Sequence, residues 1–86
     1  MDTIGFMELS SIGIGVEITD SMLKAAQVDL IFAKASCPGK FYIMINGFVS
    51  NVKNSIRAGE EIAKGFLISS AVISKVHPQV IQAVNM

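Results

Sequence analysis

Two apolar runs rich in β-branched and aromatic residues, Val28 to Ala33 and Phe41 to Gly47, are separated only by Ala35-Ser36-Cys37-Pro38-Gly39-Lys40. Proline locks φ and glycine tolerates a positive φ, so a Pro-Gly pair fixes a sharp reversal and the flanking runs pair as an antiparallel hairpin. Any fold of this chain must accommodate that hairpin, with Cys37, its only thiol, held out at the tip.

The rest of the chain supplies the partners the hairpin needs. Ile4 to Leu9 is a short, mostly apolar strand, followed by the Ser10-Ser11 pair, whose hydroxyls suit a helix N-cap. Ile14, Ile18, Met22 and Ala25, with Val16 and Leu23 beside them, recur at helical spacing and predict a helix from about Ile12 to Ala26. Gly13 and Gly15 in its first turns suggest close packing against another backbone. A second helix follows from Val52, Ser55, Ile56, Gly59, Ile62, Ala63 and Phe66, with Ser50 as its cap and Gly65 as its stop. Leu67 to Val76 is strand-like until His77-Pro78 breaks it before a short terminal helix through Val80, Ile81, Ala83 and Val84. The order is βαββαβ, which predicts an α/β (α+β) ferredoxin-like domain over residues 1–86, with one antiparallel sheet and two helices on one face.

Composition narrows the function classes. Of the 86 residues 51% are hydrophobic and only 16% charged, so a domain this small is expected to bury part of its apolar surface against neighbouring chains. A formal net charge of zero with no Lys/Arg run leaves no electrostatic footprint for nucleic acid. The longest apolar stretch, Gly65 to Ile73, falls short of the roughly 18 residues a membrane span needs and contains Ser69 and Ser70. Met1-Asp2-Thr3 places an acid where a signal peptide carries basic residues, and one cysteine forms no internal disulfide, so a reducing, cytoplasmic setting is expected.

Catalytic constellations are hard to find. Ser10 and Ser11 have no histidine at a recognisable spacing; the single imidazole, His77, sits beside a proline. Glu8 and Glu17 fall in different elements, and Glu60-Glu61 falls on the expected solvated face of the second helix. Gly13-x-Gly15 lacks the third glycine of a dinucleotide fingerprint. The methionines read as core filler. Cys37 alone could ligate iron only if symmetry brings several copies together, because clusters take about four soft ligands.

In order along the chain, Ile4-Gly5-Phe6-Met7-Glu8-Leu9-Ser10-Ser11, Asp20-Ser21-Met22-Leu23-Lys24-Ala25-Ala26-Gln27-Val28, Pro38-Gly39-Lys40-Phe41, Asn46-Gly47 and Val72-Ile73-Ser74-Lys75-Val76-His77-Pro78 resemble the domain of bacterial microcompartment shell proteins. The resemblance covers residues 4 to 84. It implies the same βαββαβ fold, a structural rather than enzymatic role, and self-assembly into flat homohexamers or trimers of tandem domains. Such rings tile, with other shell proteins, around encapsulated enzymes in a cytoplasmic compartment. It further implies that the loop holding Ser36, Cys37, Pro38 and Gly39 lines a central pore.

That loop departs from the Lys-x-Gly-x-Gly pattern of many single-domain members. It is more similar to the first domain of a tandem shell protein of propanediol-utilising compartments, whose pore cysteines hold an iron-sulfur cluster, so the resemblance implies Cys37 as a metal ligand. Lys24 matches the family's lysine at the edge between hexamers. Gln27 stands where asparagine is usual and Lys75 where arginine is common; lysine cannot copy the planar fork of arginine, so weaker or rearranged lateral contacts are expected. Three readings stay open: a hexameric shell subunit, an electron-transfer module built on a shared 4Fe-4S cluster, and one half of a tandem-domain trimer. Equivalent thiols on a threefold axis can take three corners of a cubane, whereas a full sixfold set cannot all ligate it.

Overall fold

The computed structural model describes residues 3–74. Within them the elements are β1 (Thr3–Leu9), α1 (Ile12–Ala25), β2 (Asp29–Ser36), β3 (Lys40–Gly47), α2 (Val49–Ala63), a single 3₁₀ turn (Lys64–Phe66) and β4 (Leu67–Ser74). The strands form one sheet in the order β2-β3-β1-β4, antiparallel at every junction, so the first strand of the chain lies inside and the hairpin occupies one flank. The expected terminal helix, Lys75 and His77-Pro78 lie outside the described residues.

Alternation along the inner strands sets the layering. Met7, Leu9, Ile43 and Ile45 turn to the helices and are fully buried with Ile18 and Met22 of α1 and Val52 of α2. Each such side chain contributes roughly 1.5–3 kcal/mol by leaving water. Gly5 lets α2 approach β1: a Cβ there would lie 2.8 Å from Val52 Cγ1 and 2.9 Å from Ile56 Cγ1. The two helices are tied by the Ser55 hydroxyl, which donates to the carbonyl of Met22 in the buried seam.

Local details depart from the sequence expectations in four places. Ser11 alone caps α1, accepting from the Ile14 N–H at 3.2 Å, while Ser10 bonds instead to the carbonyl of Phe66 through both its N–H and its hydroxyl. Gly15 does pack tightly, but against the ring of Phe41 rather than a backbone, and Gly13 faces open space. Helix α2 begins one residue before Ser50, with Phe48 at the N-cap and no side-chain cap, because the chain turns at the end of β3 itself. It ends before Gly65: Lys64 takes the positive φ of 43° at the C-cap, leaving Ile62 and Phe66, expected on the core face, 41% and 44% exposed.

Candidate functional site

The β2-β3 hairpin is paired to its last residue. Ser36 faces Lys40 across the ladder, so the turn consists of Cys37, Pro38 and Gly39, with the Cys37-Pro38 peptide cis and Gly39 at φ +77°. The positive φ is what demands glycine there, since no atom crowds an added Cβ. Cys37 is exposed at the apex. The neighbouring cations are engaged: Lys40 Nζ lies 3.4 Å from Glu8 Oε2, and Lys34 Nζ sits 4.7 Å above the Phe32 ring.

Among the described residues no three His, Cys, Asp or Glu side chains come close enough to hold a metal ion. A cluster is therefore compatible with this tip only if several copies each present Cys37, whose thiolate is the donor such clusters take. No described helix is long and apolar enough to cross a membrane.

Lys24 and Gln27 stand at the far end of the sheet. Lys24 lies in the last turn of α1, 76% exposed, its ammonium 2.9 Å from Asp20 Oδ2 one turn earlier. Gln27 follows the helix end and lines a cavity of about 220 Å³ with Asp29, Gly47, Phe48 and Asn51. Lys75 is outside the described residues. Leu9 pairs with Phe41 at the hairpin-tip end of β1, and Thr3 pairs with Gly47 at the other, so Cys37 and the Lys24-Gln27 corner occupy opposite ends of the same strands.

Sequence reasoning did not anticipate a shallow groove of about 410 Å³ between α1 and the sheet, lined by Val16, Thr19, Asp20, Leu23, Ala33 and Phe41. Nor did it anticipate Phe48, 71% exposed at the cap of α2. The only signal was the position of Val16 and Leu23 beside, rather than on, the apolar stripe of α1.

Comparison with known proteins gives a consistent result. The BMC domain family model matches residues 3–76. The bacterial microcompartment shell protein PduT of Citrobacter freundii is 42% identical over 82 residues, covering 95% of this chain and 45% of its own length. The carboxysome shell protein CcmK2 of Synechocystis is 33% identical over 78 residues, covering 86% of this chain and 76% of its own. A crystal structure of a microcompartment protein from Desulfitobacterium hafniense superposes with a TM-score of 0.89 at 45% identity, over 98% of this chain and 47% of that one. The chain thus spans just under half the length of two of these relatives.

Proposed function

The chain belongs to the BMC domain family, and on that premise we propose that it is a non-catalytic building block of a bacterial microcompartment shell. Copies close into a flat ring with the Cys37 tips at its centre and the Lys24-Gln27 corners at its rim. The observation that carries this reading is the placement of those two features at opposite ends of one sheet, which lets a single rotation gather all tips and spread all corners. Other shell proteins are its lateral partners, the encapsulated enzymes its inner ones. The ring is a homohexamer of this domain, or the same ring built from three tandem pairs. Native mass spectrometry of the purified protein tests it: a ring mass is expected, and a persistent monomer at micromolar concentration overturns it.

A second reading is favoured by the solitary exposed thiol at the tip. In it, Cys37 residues from neighbouring copies hold a shared iron-sulfur cluster, which when bound would carry electrons across the shell. Cys37 ligates, Ser36 and Pro38 line the pore beside it, and Gly39 sets the turn that aims the thiol. Iron per ring and the electron paramagnetic resonance spectrum after anaerobic reconstitution test it; a colourless, iron-free ring leaves a plain pore.

A further inference from the structure

Packing accounts for neither residue of the Asn46-Gly47 pair that closes β3. Asn46 Oδ1 is buried with no hydrogen-bond partner among the described residues, a condition that native side chains rarely keep. Gly47 has no positive φ, and a Cβ added to it would lie 3.5 Å from its nearest neighbours, the main-chain oxygen of Gln27 and Val28 Cγ1, which is ordinary contact. Room exists for an alanine there, so the reason for glycine is not steric.

An asparagine followed by glycine is the pair at which a chain most readily attacks itself, because glycine has no side chain to shield its nitrogen. The Gly47 main-chain nitrogen gives up its proton and bonds to Asn46 Cγ; the Cγ–Nδ2 bond breaks, and that nitrogen leaves as ammonia with the proton. The cyclic imide that results takes up one water. Opening at Cγ gives aspartate, and opening at the main-chain carbonyl gives isoaspartate, in which the chain runs through the side chain. One water is consumed and one ammonia released, with no oxidant or reductant. The other two asparagines of the described residues, Asn51 and Asn54, lie inside α2 and precede Val52 and Ser55, whose side chains crowd such an attack.

We propose that Asn46-Gly47 is a self-modification site, at which an ageing chain converts asparagine to isoaspartate or aspartate and thereby loosens its own sheet. Extended strand geometry holds the Gly47 nitrogen away from Asn46 Cγ, so the step waits for local opening. Asn46 is the last residue but one of β3, at an end where strands fray. Gly47 borders the cavity of about 220 Å³ shared with Gln27, Asp29, Phe48 and Asn51, which brings water to the pair. The products do not fit the sheet. Asn46 pairs with Ile4 on one side and Asp29 on the other. Aspartate sets a carboxylate directly opposite Asp29, and like charges facing across strands destabilise. One of its oxygens takes the buried position that has no donor, where charge is costly. Isoaspartate adds a methylene to the main chain and breaks both ladders at that level.

Peptide mapping by mass spectrometry tests this on the intact protein, incubated for weeks at mildly alkaline pH, with isoaspartate methyltransferase as a second probe for the isomer. Asn46 is expected to exchange its amide for a carboxyl, isoaspartate predominating, while Asn51 and Asn54 stay amides. Gly47→Ala, which the contact distances accommodate, is expected to slow the conversion several-fold. Asn46→Asp, the product made directly, is expected to melt at a lower temperature than the wild type. Asn46 intact in the folded protein, with conversion only once urea unfolds it, would show that the strand protects the pair and overturn the proposal. An Asn46→Asp variant as stable as the wild type, or a Gly47→Ala variant that converts as fast, would overturn it too.

Discussion

A methyl group added at Gly15 would lie 2.4 Å from two atoms of the Phe41 ring, which is itself buried in the core. At that distance the ring or the helix must shift out of its packed position, so Gly15→Ala is expected to lose roughly 1–3 kcal/mol, measured by urea denaturation. Lys64 presents the reverse case. Its backbone, at φ 43° and ψ −114°, is a conformation that side chains resist. Lys64→Gly removes that strain and should raise stability by roughly 1 kcal/mol, visible as a higher melting temperature. At the hairpin tip, Cys37→Ser keeps the turn, because Pro38 and Gly39 define it, but replaces a soft thiolate with a poor ligand. Under the proposed cluster reading, reconstituted rings of that variant should lack the iron and colour of the wild type while keeping its ring mass, checked by iron analysis and native mass.

Helix α2 shows what an element lacks when its start is taken over by a hydrophobe. Phe48 has extended φ and ψ suited to an N-cap, but no oxygen to accept from the first turn, and it is 71% exposed. Phe48→Asp supplies an acceptor and a negative charge at the positive end of the helix, and should add roughly 1 kcal/mol by thermal denaturation. The element order, the hairpin and the apolar stripes of both helices were legible from the sequence because periodicity and the Pro-Gly reversal are local signals. The start and stop of α2 were not. Ser50 and Gly65 are the residue types that ordinarily cap and end a helix, but the burial of Val52, Ile56 and Ala63 in the core fixed its phase, leaving Phe48 and Lys64 at the ends. The thiol at the tip was equally legible, since three turn residues leave no other place for it. The groove over Ala33 and Phe41 was not, because it is made by residues from three elements that only the fold brings together.

At the scale of the whole molecule, Lys24 separates stability from assembly. Its pairing with Asp20 is between two well-exposed side chains on one helix, 76% and 66% accessible, and contributes little. Lys24→Ala should therefore change the stability of the isolated protein by less than about 0.5 kcal/mol. In the proposed ring it would stand at the rim, and on that reading the same variant is expected to form normal rings that fail to tile into sheets under electron microscopy. Normal sheets would move the rim elsewhere on the domain.

The interior position of β1 also imposes an order in time. It is synthesised before the other strands of this sheet, yet it is hydrogen-bonded on one side to β3 and on the other to β4, whose residues Leu67–Ser74 are made some sixty positions later. Pairings this distant along the chain wait for the loop between them to close, which makes them slow relative to hairpin and helix formation. On the ribosome the β2-β3 hairpin can form while the partner of β1 is still unmade, leaving Ile4 and Met7 with one open flank. A domain so wired has no complete native sheet to offer a neighbour until β4 has been made, so in the ring proposed above the docking of one copy's sheet on another follows the synthesis of β4.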